Sequence, residues 1–133
     1  MAAAIPDEAK HLFENKDFAH VATINPDGTP QVSAVWVALD GDLITFNTAD
    51  GRVKPRNVRA NPAVAVSIHA QDNPYESLII QGKVVDVTPD GADEDIDALA
   101  KRYLDADSYP FRQPGEQRLI VKIEPEKVNH TAA

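Results

Sequence analysis

The chain has no cysteine, so disulfide staples, thiolate nucleophiles and cysteine metal sites are all excluded. It also lacks net positive charge. Its 21 Asp and Glu outnumber 13 Lys and Arg, for a formal charge of −8 and a pI near 4.8. That balance argues against general binding to nucleic acid or to an anionic membrane, since both need a positive surface. Long hydrophobic runs are missing as well: stretches such as 63–66 and 78–80 are far too short to span a bilayer. The first eight residues contain no basic stretch followed by an apolar one, so no secretory signal is expected. The four histidines (His11, His20, His69, His130) show neither His-x-His nor His-x-x-x-His spacing, and no metal site is expected. The acidic stretch 90–97 lacks the interleaving of a calcium loop and reads as a solvated helix face. No serine occupies a nucleophile-elbow motif, which leaves hydrolysis without support. With 133 residues, 43% of them hydrophobic, the chain is long enough to bury a core. The expectation is one cytoplasmic domain over 1–133.

What is present is a succession of short strands. Residues 6–16 carry Ala9, Leu12 and Phe13 at helical spacing, with Pro6 near the first turn. Residues 18–25 read as a strand, followed by Asn25-Pro26-Asp27-Gly28-Thr29, a hairpin turn in which Asp-Gly supplies the positive φ. Residues 30–39 form the returning strand, and Asp40-Gly41-Asp42 turns into a strand over 43–48. A short helix over 53–60 follows, with Pro55 tolerated in its first turn and Asn61-Pro62 as its stop. Strands are predicted over 63–70, 76–87 and 117–124, with an acidic helix over 92–104 and loops at 71–75 and 108–116. Gly82 inside a strand marks a bulge or a close backbone approach. Six antiparallel strands with helices at the margins indicate a mainly β chain, folded as a small barrel.

One segment stands apart. Arg52, Lys54, Arg56 and Arg59 place four cations in eight positions, with no acid between Asp50 and Asp72. A cationic patch on an acidic chain points to a bound anion. It also lies at a predicted helix start, where free N–H groups and the helix dipole favour phosphate. The competing reading is a solvated helix face.

The order of these motifs resembles the pyridoxamine 5′-phosphate oxidase-like, FMN-binding split β-barrel family, and most of all its actinobacterial branch that uses the deazaflavin F420. The carrying residues are Ala22-Thr23, the run 26–33, Val35-Trp36, Asp40 to Leu43, Asn47-Thr48, Arg52-x-Lys54-x-Arg56-Asn57, Asn61-Pro62, Gly82 before Val84, and the strand 118–123 with Pro125 to Val128 after it. The resemblance implies a six-stranded antiparallel split β-barrel of Greek-key type. It implies a phosphate anchor at Arg52 and Lys54, with Asn57 on the same helix and Arg56 ranked below, and Arg59 with it. Gln31, Val32 and Ser33 would lie under the flavin-like ring, Gln31 and Ser33 sharing one strand face. Asn47 and Thr48 would point at the phosphate or ribityl chain, unless Thr48 or Asp50 caps the helix. Tyr75, Ser77 and Gln81 sit where the family brings residues from a second subunit. Trp36 reads as core or dimer packing ahead of substrate contact. The implied activity is hydride transfer from reduced F420 to a small conjugated or quinone-like acceptor, in a homodimer with sites at the subunit interface. No side chain is assigned a catalytic role. FMN-dependent chemistry and a non-catalytic F420 carrier stay open as alternatives.

Overall fold

We describe a computed structural model covering residues 2–132; the two terminal residues of the expected 1–133 unit lie outside it. The chain begins with a helix, but of the tighter 3₁₀ kind (Asp7–Phe13) where an α-helix is expected. The spacing explains the difference. Ala9 and Leu12 are three residues apart and eclipse each other in a 3₁₀ turn, so both are buried without a fourth apolar position.

Seven strands follow: β1 (Ala19–Ile24), β2 (Pro30–Val35), β3 (Val37–Asp40), β4 (Leu43–Ala49), β5 (Ala63–Ala70), β6 (Asn73–Thr88) and β7 (Arg118–Thr131). Helix α1 (Val53–Ala60) joins β4 to β5, and helix α2 (Ala92–Leu104) joins β6 to β7. All pairings are antiparallel, in the order β2-β1-β5-β6-β7-β4-β3. The fold is thus mainly β, with the antiparallel split barrel and marginal helices expected. It has one strand more than predicted. The extra strand comes from a break at Trp36: residues up to Val35 pair with β1, and those from Val37 pair with β4. The two outer strands of the sheet are therefore consecutive in sequence yet not hydrogen-bonded to each other, and the barrel is split between them.

Turn chemistry sets the hairpins. Gly28 takes φ +87°, and Asp27 Oδ1 accepts from Thr29 N at 3.1 Å and from its hydroxyl at 2.6 Å. Those bonds, the hydroxyl's first, hold the Asp27 carboxyl below its usual pKa. Alternation along β5 turns Val64, Val66, Ile68 and Ala70 inward against Phe46, Ile80, Val121 and Ile123. Two strands run further than expected. β6 begins at Asn73, which reduces the predicted 71–75 loop to a tight turn. β7 continues through Pro125 to Thr131. Pro125 is tolerated because it lies opposite Gly82, where the β6–β7 register slips and an N–H donor is not required. Gly82 is itself compelled. A Cβ there would sit 2.5 Å from the backbone oxygen of Glu124.

Gly82→Ala should therefore lower stability by about 1–3 kcal/mol through overpacking against the backbone, read as a fall in the urea midpoint at unchanged m-value.

Candidate cofactor site

The entry to α1 is built to leave polar groups open. Gly51 turns the chain at φ +92°, and Arg52 in extended conformation begins the helix without any side-chain cap. Asp50, one candidate for that cap, instead accepts from Gly51 N at 3.1 Å and pairs with Arg59 at 3.0 Å. Those two partners, Arg59 first, depress the Asp50 pKa. Pro55 in the third helical position has no N–H, so the free donors of the first turn fall to Val53 and Lys54.

Lys54 is the centre of the site. Its side chain runs under β2, and the residue is only 6% exposed. The ammonium donates to Ser33 Oγ and to Gln31 Oε1, the latter at 3.2 Å. Both acceptors are neutral, and among the described residues no carboxylate pairs with this lysine. Burial alone lowers its pKa. A cation held by two uncharged oxygens is underpaired, and an anion brought to it would relieve that condition.

Behind Lys54 lies a fully buried polar pin. Asn57 Nδ2 donates to Thr23 Oγ1 at 2.9 Å and to Asn25 Oδ1 at 3.0 Å, while Thr23 donates to Gln31 Oε1 at 3.0 Å. Arg56 folds back on Asn57 Oδ1 through Nε and Nη2, at 3.3 and 3.0 Å. These bonds lock α1 to the β1–β2 hairpin and fix where Lys54 points.

A cleft of about 420 Å³ opens above the helix start, lined by Gln31, Ser33, Ala34, Val35, Asn47, Thr48, Gly51, Arg52, Val53 and Lys54. Six residues singled out in the sequence therefore meet here: Gln31, Ser33, Asn47, Thr48, Arg52 and Lys54. The others do not line it. Asn57 is buried behind it, Arg56 is turned onto Asn57, and Arg59 is likewise spent on Asp50. Val32 projects from the opposite face of β2, 60% exposed. Ser77 lies on β6, paired with His69 and Thr131, on that same outer face of the sheet. Tyr75 and Gln81 are exposed on β6 as well.

The cleft continues into a second hollow of about 210 Å³, with which it shares Ala34, Val35, Asn47 and Arg52. The second hollow is aromatic, walled by Phe18, Trp36, Tyr109 and Phe111 with Ile96 and Leu99 of α2. Trp36 stacks on Tyr103 at 5.2 Å and meets Tyr109 edge-on at 6.1 Å, so it both packs and lines. Arg118, nearly fully buried, lies 5.0 Å from the Tyr109 ring, donates to Asn47 Oδ1 at 2.8 Å and pairs with Glu116 at 3.0 Å. Arg52 approaches the same glutamate at 3.7 Å. Lys54, Arg52 and Arg118 thus outnumber the carboxylates of Glu116 and Asp95 around the joined hollows.

Asn47 differs from the expectation in detail. Its amide nitrogen donates to Ala92 O and to Asp95 Oδ2, each at 2.9 Å, so both hydrogens are committed. It forms a wall of the cleft and has no free donor to offer. Asp95 is half-buried behind it, outside the solvated face expected of stretch 90–97, and burial raises its pKa against the Asn47 bond and nearby cations. Glu116, Arg118, Tyr109 and Phe111 were not among the predicted site residues. Register brings Arg118 here, facing Ala49 across the β4–β7 ladder, and the loop that leads into β7 carries Tyr109, Phe111 and Glu116.

Comparison with known proteins identifies the family. The family model described as pyridoxamine 5′-phosphate oxidase matches residues 5–132. The chain belongs to the pyridoxamine 5′-phosphate oxidase family. Among solved structures, one titled F420 reductase is 38% identical with a TM-score of 0.81, covering 94% of this chain and 98% of its own. A conserved hypothetical protein from Mycobacterium tuberculosis matches at 20% identity and a TM-score of 0.76, over 98% of this chain and 86% of that one. General Stress Protein 26 from Bacillus anthracis matches at 13% identity and 0.69, over 94% and 92%. The last two show the shared fold. Among the described residues no group of His, Asp and Glu has metal-holding geometry, and no helix is long and apolar enough to cross a membrane.

Because burial lowers the Lys54 pKa, folding disfavours its charged form, and stability contributed through this group rises with pH towards 10.5. Lys54→Met should flatten that rise and leave urea stability at pH 7 equal or higher without ligand. Gln31 Oε1 keeps its bond from Thr23, and Ser33 can turn to the cleft.

Proposed function

We propose that this chain is an F420-dependent oxidoreductase that reduces a small conjugated or quinone-like acceptor. The observation that carries the reading is the buried, acid-free Lys54 beside an uncapped helix start. In that position a phosphate would accept from the ammonium, from the Val53 and Lys54 amides and from the Arg52 guanidinium. The residues fit a phosphorylated flavin-like group in a second respect. Gln31 and Ser33 present polar side chains into the cleft next to apolar Ala34 and Val35, a surface suited to a heteroatom-edged ring. The aromatic hollow beyond, with Trp36, Tyr109 and Phe111, suits a flat acceptor, and Arg52 and Asn47 border both spaces. Reduced F420, when bound, supplies a hydride from its deazaflavin C5 position. The protein orients the two partners, excludes water with the aromatic walls, and holds negative charge near Arg52 and Arg118. No side chain is assigned to proton transfer. The 38% identity to an F420 reductase over nearly the whole chain supports the deazaflavin.

FMN is the second reading, supported by membership of the pyridoxamine 5′-phosphate oxidase family. Titrating the protein with F420 and FMN separately decides between them: F420 should bind at least tenfold more tightly. Arg52→Ala with Lys54→Ala should weaken binding by about 3 kcal/mol, roughly a hundredfold in Kd, by calorimetry. Unchanged affinity would remove the helix start from the site. Turnover of reduced F420 with a panel of quinones and enones separates an enzyme from a carrier, which would bind without consuming any acceptor.

We propose further that the active form is a homodimer with its sites at the seam. The outer face of β2-β1-β5-β6 carries Ala22, Ile24, Val32, Ala63, Ala65 and Ile79, small or apolar residues with Ile79 half exposed. A second copy covering this face would carry Val32, Ser77 and Gln81 to the seam. Light scattering should give twice the chain mass at micromolar concentration. Val32→Glu with Ile79→Glu should yield monomers with weakened cofactor binding. A monomeric wild type that retains cofactor would end the shared-site reading.

A further inference from the structure

Far from the cleft, three titratable side chains that the proposed chemistry does not use meet at one point. Glu76, at the start of β6, accepts two bonds at once. His11 Nε2, on the N-terminal 3₁₀ helix, lies 2.9 Å from Glu76 Oε1, and His130 Nε2, near the end of β7, lies 3.0 Å from Oε2. The carboxylate side chain is 15% exposed and that of His130 11%, while His11 is nearer the surface at 43%. The three residues come from positions 65 and 54 apart in sequence, so the trio ties both ends of the chain to one strand.

We infer that His11, Glu76 and His130 form a pH-dependent latch, whose closed state clamps the N-terminal 3₁₀ helix and the end of β7 onto β6. With both imidazoles charged, two charge-assisted bonds converge on a single carboxylate. With both neutral, one or two ordinary hydrogen bonds remain. The groups that bear on the trio are few. Asp17, beyond the 3₁₀ helix, adds to the attraction for a charged His11, as does the Glu8 backbone on its own helix. From β6 and β7, Leu78 faces His130 across the ladder and Thr131 faces Ser77, so neither strand brings a competing charge at those pairs. Among the described residues, no lysine or arginine pairs with Glu76.

The working range follows from the two directions of shift. The Glu76 hydrogen bond, then burial against it, leaves the His11 pKa above its ordinary 6.5. Its contribution is complete below 6.5 and is lost as pH rises through the raised value. Hydrogen bonds from His130 and then His11 lower the Glu76 pKa below 4.5, so its contribution is present above 4.5 and lost as pH falls through the lowered value. The latch is closed between about pH 4.5 and 6.5 and loosens as pH rises through the raised His11 value. Ser77 is the next residue on β6 and Thr131 the next on β7, and both lie on the outer sheet face. The latch therefore bears on the edge of that face whether or not the cofactor reading holds.

Hydrogen exchange on the cofactor-free protein tests this. After correction for intrinsic rates, amides of residues 7–13 and 128–131 should open roughly fivefold more often at pH 8.5 than at pH 5.5, the worth of a good ion pair. Glu76→Gln, and separately His11→Gln with His130→Gln, should abolish that pH dependence. Equal pH dependence in wild type and in the variants would overturn the latch. Titration of the wild-type imidazoles by NMR gives a check that needs no variant. His11 should be charged at pH 5, and a neutral His11 imidazole there would overturn the latch as well.

Discussion

The break in the ladder at Trp36 is the constraint on which the rest of the structure depends. β2 and β3 are separated by one residue, yet each pairs with a strand on the opposite side of the sheet. Two backbone edges are left without strand partners, and buried peptide groups require partners. Helix α2 supplies them on one side. The Tyr103 hydroxyl accepts from Val37 N at 3.2 Å and donates to Asp17 O at 2.6 Å, while Arg102 donates to the carbonyls of Val37 and Phe13. On the other side the side chains of β2 are held by α1 through Lys54 and the Thr23–Asn57 pin. The gap between these supports is the cleft. A closed seven-strand barrel would have no such opening, so the flaw in the hydrogen-bonding pattern and the site are one feature.

That origin explains the chemistry of the lining. A strand held by side chains needs acceptors and donors that point across the gap, which is why Gln31, Ser33 and Thr23 occupy an inward face where Val21 and Ala19 continue as plain core. The charged partner of this polar edge is a lysine without an acid. Elsewhere in the molecule cations near the surface meet carboxylates: Arg59 with Asp50, Arg112 with Asp93 and Asp97, Lys122 with Asp40. Lys54, by contrast, is buried without such a carboxylate, and it lies at a helix start whose first-turn amides no side chain caps.

Much of this was readable beforehand, because it rests on short-range rules. Asp-Gly pairs announced the hairpins at Gly28 and Gly41, alternation announced β5, and the density of Arg52, Lys54, Arg56 and Arg59 marked α1. What could not be read follows from long-range register. Nothing local to Trp36 signals that the strand should change partners there, so one predicted strand became two. The 3₁₀ character of the first helix lies in a spacing too short to separate from an α-helical one. Arg56 and Arg59 were indistinguishable from Lys54 as charges; only the packing of α1 against β1 and β2 reveals which of the three faces inward. Glu116, Arg118 and Tyr109 reach the site by strand register and loop packing. His11 and His130, scattered in sequence, meet only because β6 and β7 pair along most of their length.

The charge distribution has a kinetic consequence. A chain of net charge −8 repels an anionic ligand at long range, while the helix start attracts it at short range. Salt screens the first effect over distances beyond about 10 Å at 0.1 M, yet weakens contacts inside the cleft far less. Raising ionic strength from very low values would therefore speed encounter before it hastens departure. On the proposed reading, an anion would approach the helix start slowly, against the net charge of the chain as a whole.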